Sequence, residues 1–254
     1  MRLFRDTWLV FQRQMLIALR TPVWVAIGLF QPLAFLLLFA PLLDNIAKAP
    51  GFPPGGSLGV FTPGLLILQG MYGASFVGFA LVSDLREGII ERQRVTPVSR
   101  LALPLGRTLR DVVVTTTQGV ILVGVAWIMG LKLQIPGILS AFVLLALLVI
   151  ALSSASYALA LLVKSEDALA PVINFVLLPV QLLSGVMLPL ALAPLWIQNV
   201  AKANPLAYAV DASRWLFNGG ALSDAVVLKA FIAIGIIVVL GVWWAVSAFR
   251  QATA

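Results

Sequence analysis

An all-α integral membrane fold with six transmembrane helices is what this sequence predicts, and three observations carry the prediction. Hydrophobic residues make up 61% of the chain and charged residues only 11%, where a soluble domain has roughly 25% charged. Cutting the sequence at its charges leaves six long charge-free windows, 21–43, 49–83, 112–131, 133–163, 168–201 and 230–249. Each is longer than the ~18 residues that mark a spanning helix. The short alternating segments of a membrane β-barrel, about ten residues each, are absent.

The first twenty residues are interrupted by Arg2, Arg5, Asp6, Arg13 and Arg20, so they lack the apolar core of a cleaved signal. Phe4, Trp8, Phe11, Met15 and Ala18/Leu19 recur at spacings of three and four. That periodicity predicts an amphipathic helix over 1–21, lying in the membrane interface. Thr21-Pro22 ends it, because a residue before proline is pushed out of helical geometry. After the first span, the external loop 44–60 holds Pro50, Gly51, Pro53, Pro54, Gly55 and Gly56 and reads as irregular. In the second span, Gly70, Ala74 and Gly78 form a ladder of small residues suited to close helix packing.

The segment from Asp84 to Asp111 holds 10 of the 27 charged residues. Asp84 and Glu87 read as an N-terminal cap pair. They open a short helix to about Val95 with Leu85 and Ile89 on one face, and Thr96-Pro97 stops it. Ser99 caps the next helix, which enters the third span through Arg100, Arg107 and Arg110. Glu87 and Glu91 sit four apart, a like-charge pair that weakens an isolated helix slightly and becomes useful against a basic or hydrogen-bonding surface. A solvated turn whose arginines bind lipid phosphates is the plainer reading of the same residues.

Between the fifth and sixth spans, the segment 189–222 is too apolar for an ordinary loop. Lys202, Asn204-Pro205, Asp211 and Arg214 break it into pieces too short to cross. Two short external re-entrant helices fit, since irregular backbone at depth is tolerated only against protein or water. One extra span is the rival reading, and it would put the C-terminus outside. With six spans, one face collects twelve Lys and Arg residues and the other five. The positive-inside rule then makes both termini and the charged loop cytoplasmic. Trp24, Trp127, Trp243 and Trp244 fall near span ends, as interfacial tryptophans do. There is no internal repeat, and one membrane domain covers 1–254.

The chain contains no cysteine and no histidine. Thiolate chemistry is therefore excluded, along with the commonest general base and metal ligand. No catalytic or metal-ligating set is read. The net charge of +7 follows from membrane topology rather than from nucleic-acid binding. None of the six charge-free windows offers the titratable group that an ion-coupled carrier places in the membrane. The polar residues there are neutral: Thr115, Thr116, Thr117 and Gln118 in the third span, Ser153, Ser154 and Ser156 in the fourth, and Asn174, Gln181 and Ser184 in the fifth. The last three are predicted to share a helical face. Helix–helix hydrogen bonding and a path for an amphipathic substrate (Thr116, Gln118, Asn174, Gln181, Ser184) are both open. Pro171, Pro179 and Pro189 permit kinks in the fifth span.

The run Arg-Glu-Gly-Ile-Ile-Glu-Arg at 86–92, followed by Val-Thr-Pro-Val-Ser-Arg at 95–100 and Leu-Gly-Arg at 105–107, resembles the signature loop of ABC-2 type permeases, in particular the daunorubicin-resistance branch of drug exporters. The segment Asn-Pro-Leu-Ala-Tyr-Ala-Val-Asp-Ala-Ser-Arg at 204–214 and the Phe-Asn-Gly-Gly after it also resemble that family. Arg92-Gln93-Arg94 departs from the pattern, where a leucine pair is more usual, and alters the surface offered to a partner.

The resemblance implies a homodimer of six-helix permeases served by separate cytoplasmic ATPase subunits, which bind the ATP and magnesium. It also implies that 84–105 is the coupling segment, with Leu85, Arg86, Glu87, Gly88, Glu91, Arg92, Thr96 and Pro97 docking in the ATPase. The chain carries no GxxxxGK[ST] phosphate loop, as a separately encoded ATPase requires. The function so implied is ATP-driven export of amphipathic hydrophobic compounds across the cell membrane. Export of a lipid-linked glycan or cell-surface lipid is the alternative within the same fold. An ATP-independent carrier or membrane enzyme is the alternative outside it, and the Lys164/Ser165 pair, at a span edge, reads as interfacial anchoring rather than as its catalytic centre.

Overall fold

The computed structural model describes residues 2–43, 55–88, 102–187 and 189–252. Among the described residues there are ten α-helices and no strand: α1 (Arg2–Arg20), α2 (Pro22–Leu42), α3 (Gly56–Ser75), α4 (Gly78–Arg86), α5 (Ala102–Ile128), α6 (Ile135–Val163), α7 (Glu166–Leu182), α8 (Leu195–Ala201), α9 (Pro205–Phe217) and α10 (Ala225–Ala252). Five stretches of the described residues are long and apolar enough to cross a membrane: Val25–Leu42, Gly56–Arg86, Ala102–Ile128, Ile135–Val163 and Ala225–Gln251.

The remaining charge-free window, 168–201, is divided. Helix α7 has 17 residues, a length of about 26 Å at the α-helical rise. A turn, a 3-10 turn over Leu190–Leu192 and α8 follow it. Helices α8 and α9 supply two short helices in the segment where two were expected.

Local chemistry sets several boundaries. The Thr21 hydroxyl donates back to the Ile17 carbonyl at 2.9 Å, and Pro22 takes the first position of α2, where a missing N–H costs nothing. Lys164 closes α6 in a left-handed conformation, φ 54°. Asn204 caps α9, its side chain accepting the Leu206 N–H at 3.0 Å, as a good N-cap does.

The Asp84–Glu87 cap pair does not form. The second span continues as α4 through Asp84 to Arg86, so no helix begins at Asp84. Glu87 instead accepts a hydrogen bond from the Ser83 hydroxyl at 3.4 Å.

Helix α6 is the axis of the bundle, packing against α3, α4, α5, α7, α9 and α10. Leu144, Leu145, Leu148 and Val149 are wholly buried along it. The small-residue ladder of the second span faces this axis: Gly70 lies against Leu145 and Gly78 against Ser156. Outward-facing side chains such as Phe30, Leu38, Ile128, Phe175 and Val239 are large, apolar and exposed, the surface a protein presents to lipid rather than to water.

Helix α9 lies on α6 with almost no gap. A Cβ on Gly137 would sit 2.0 Å from the Leu216 carbonyl oxygen, which is backbone and has no rotamer to yield. Gly137→Ala is therefore expected to lower stability by about 1–3 kcal/mol, the usual cost of overpacking. Thermal unfolding in detergent checks it, and an unchanged melting temperature contradicts so close a contact.

Candidate functional site

The charged segment is entered from α4 and left through α5. Leu85 is half-buried, Arg86 and Glu87 are exposed, and Gly88 turns the chain at φ 67°, a conformation that favours glycine. Glu91, Arg92, Thr96 and Pro97 lie outside the described residues.

The two ends of the segment are tied together at its base. Asp84, in the last turn of α4, accepts a short ion-paired hydrogen bond from Arg107 of α5. The Arg107 side chain is 4% exposed. One turn further into the bundle, Arg110 pairs with Asp111 at 2.6 Å. Asp111 also accepts a hydrogen bond from the Tyr157 hydroxyl of α6 at 2.5 Å. Asp111 and Tyr157 are each 2% exposed. Charges as deep as Arg107 and Asp111 are stable only when paired and hydrogen-bonded, and both are.

Arg86 reaches Glu166 at the start of α7 at 3.7 Å, but both side chains are largely exposed, so that pair adds little stability. The packing around these groups is equally close. Gly106 of α5 lies against Val10 and the Thr7 carbonyl of α1, which seats the N-terminal helix beside the same junction.

The residues expected to line a substrate path are spread over α5, α7 and the turn after α7. Gln118 is buried; its side chain donates to the Val25 carbonyl of α2 at 2.8 Å and accepts from Gln69 of α3 at 3.2 Å. Gln69, at 4% exposure, is the partner the sequence did not single out, although it stands alone as an amide among apolar residues. Thr116 is half-buried on α5.

Asn174 is exposed and bonds the Ala170 carbonyl of its own helix at 2.9 Å. Gln181 accepts from the Tyr72 hydroxyl at 2.5 Å. Ser184 lies past the end of α7 and donates to the Gln181 carbonyl at 2.6 Å. The face shared by Asn174, Gln181 and Ser184 on an ideal helix is thus interrupted, because α7 ends at Leu182.

At the opposite end of the bundle, Arg214 of α9 fills a cage of carbonyls. Its Nε donates to Val60 at 3.0 Å, and one Nη donates to Gly185 at 2.7 Å and Val186 at 3.0 Å. This guanidinium joins α9, α3 and the turn after α7. Burial lowers it to about 10, with the Asp211 carboxylate acting in the other direction, so it is still a cation at neutral pH. Sequence reading marked Arg214 as a break in an apolar segment and as the last residue of the family-like stretch 204–214, not as a buried cation.

Comparisons with known proteins agree on one family. The profile of the ABC-2 type transporter family matches residues 5–218. A putative transport permease ycf38 of Pyropia yezoensis is 30% identical over 202 residues, covering 78% of this chain and 69% of that protein. The daunorubicin resistance ABC transporter permease protein DrrB1 of Streptomyces coeruleorubidus is 25% identical over 202 residues, 79% of this chain and 70% of that one. A probable doxorubicin resistance ABC transporter permease protein DrrC of Mycobacterium tuberculosis is 26% identical over 226 residues, 87% and 80% of the two chains.

Proposed function

Because the chain belongs to the ABC-2 type transporter family, we propose that it is the permease subunit of an ATP-driven exporter of amphipathic hydrophobic compounds, working as a homodimer with separate ATPase subunits. The observation that carries this reading is the family match across 5–218, which includes the charged segment. Relatives named for daunorubicin and doxorubicin resistance support the substrate class. In the proposed layout the whole chain is one membrane domain of six spans. Helix α7 crosses as the fifth, α1 lies in the interface, and α8 and α9 are the external re-entrant pair. Both termini and the segment 84–105 then face the cytoplasm, and the protein resides in the cell membrane.

ATP and magnesium are bound by the partner ATPase. This chain's own contribution is mechanical. In this reading Glu87, exposed at the end of α4, meets a basic or hydrogen-bonding groove on the ATPase, and Glu91 and Arg92 take part in the same docking. Force delivered there passes into α4 and, through Asp84–Arg107, into α5. The neutral amides Gln118 and Gln181 and the half-buried Thr116 are offered to a substrate that carries hydrogen-bonding groups but no required charge.

The docking assignment is tested by charge reversal. Glu87→Arg combined with Glu91→Arg is expected to reduce co-purification with the cognate ATPase about tenfold or more, as loss of a central charged contact does at protein interfaces. An unchanged complex removes the assignment.

A further inference from the structure

The second span is broken, and one side chain repairs the break. Helix α3 stops at Ser75 and α4 starts at Gly78. A continuous helix would direct the Gly78 N–H to the Ala74 carbonyl and the Phe79 N–H to the Ser75 carbonyl. Here the Phe79 N–H turns to the Phe76 carbonyl at 3.2 Å, which leaves the Ser75 carbonyl without its helical donor. The Ser156 hydroxyl of α6 takes both vacant roles. It donates to the Ser75 carbonyl at 2.6 Å and accepts the Gly78 N–H at 3.0 Å.

Ser156 is 5% exposed, so water does not substitute for it there. Backbone groups opened at membrane depth must find partners within the protein. The approach depends on Gly78, whose Cβ would stand 2.7 Å from the Ser156 carbonyl oxygen and 2.8 Å from its Oγ.

The pieces on either side of the break differ. Above it, α3 is buried over almost its whole length. Below it, α4 is nine residues long; it carries Asp84, which is paired with Arg107, and it leads into the charged segment. Tyr72, Phe76 and Phe79 straddle the break as a stack with ring centroids 6.3 and 5.8 Å apart. Stacked faces can slide over one another with little loss of contact.

We propose that Phe76–Val77 is a hinge and that Ser156 is its pin. In the present state this positioning residue holds α4 in line with α3. When the charged segment is pushed, the pin releases, and α4 swings as a lever that carries α5 through Asp84–Arg107. The lever rests on the reading of 84–105 as the coupling segment; the pin does not.

Residue-resolved amide exchange on the chain in lipid nanodiscs tests the pin. Ser156→Ala is expected to speed exchange at Gly78 by about tenfold, the loss of roughly one hydrogen bond. Gly78→Ala, which leaves the hydroxyl but wedges the helices apart, is expected to act similarly at Phe79 and its neighbours. Ser153→Ala serves as the control, because among the described residues that hydroxyl bonds the Val149 carbonyl of its own helix. It is expected to leave both sites unchanged.

In the complex with its ATPase, trapping with ATP, magnesium and vanadate is expected to raise exchange at residues 76–79 in the wild type. Unchanged exchange at Gly78 in Ser156→Ala overturns the pin. Unchanged exchange at 76–79 in a complex whose ATPase is demonstrably trapped overturns the lever. If no ATPase binds the chain at all, the coupling reading fails and takes the lever with it, while the nanodisc result still decides the pin.

Discussion

Asp111→Ala is expected to remove most of the folded, detergent-extractable protein. The substitution takes the acceptor away from two donors at once, the part-buried Arg110 guanidinium at 2.6 Å and the buried Tyr157 hydroxyl at 2.5 Å. Loss of a buried carboxylate that holds both a cation and a hydroxyl costs about 3–5 kcal/mol, the range for breaking a buried ion pair, and it leaves Arg110, 23% exposed, without its acceptor. That is comparable with the whole stability margin of many domains, about 5–15 kcal/mol.

Asp111→Asn keeps an acceptor for the tyrosine and is expected to be milder. Tyr157→Phe removes one hydrogen bond and leaves the ion pair, so it should cost about 1–3 kcal/mol. Thermal unfolding in a single detergent ranks the three. An Asp111→Ala protein that unfolds with the wild type would show that the network does not hold α5 to α6.

Arg214→Met is the second large effect, expected at about 3–5 kcal/mol. It opens three carbonyls, at Val60, Gly185 and Val186, that have this guanidinium as donor. Arg214→Lys is expected to recover less than half of the loss. An ammonium on a flexible stem cannot reproduce a planar fork that reaches two sides of the cage. The same thermal series, with export activity measured alongside, separates this role from a passive one. If Met and Lys both behave as wild type, the guanidinium is not what fastens α9 to α3 and to the turn after α7.

Both networks show where the sequence could be read and where it could not. Charge-free windows located five long apolar helices, because a lipid-facing or buried span excludes charge along its whole length, and that is a local property. The Phe-Asn-Gly-Gly and Arg-Glu-Gly-Ile-Ile-Glu-Arg motifs located the family. What pattern reading did not supply were the partners. Charge density at 84–111 reads as a solvated turn or a coupling segment, yet Arg107 and Asp111 are buried, and the Tyr157 that completes the set is 46 residues away. The Asp84–Glu87 spacing satisfied a capping rule that depends on a helix starting at Asp84, and the preceding helix instead runs through it. Ser156 stood in a cluster of serines with nothing local to mark it out, because its partners at Ser75 and Gly78 belong to another span.

The candidate site divides in the same way. Glu87 is exposed at the end of α4 and Gly88 turns the chain beside it, while Glu91, Arg92, Thr96 and Pro97 lie outside the described residues. Gln118 and Gln181 are each held by a side chain of α3, Gln69 and Tyr72.

The central claim is that export by this chain is driven by ATP hydrolysed in a partner. Co-reconstitution with the cognate ATPase in proteoliposomes, followed with a fluorescent amphipathic drug such as an anthracycline, tests it most directly. The prediction is drug movement that requires ATP, magnesium and both proteins, and that stops when the ATPase is trapped with vanadate. Accumulation against a gradient by this chain alone, without any ATPase, would contradict it.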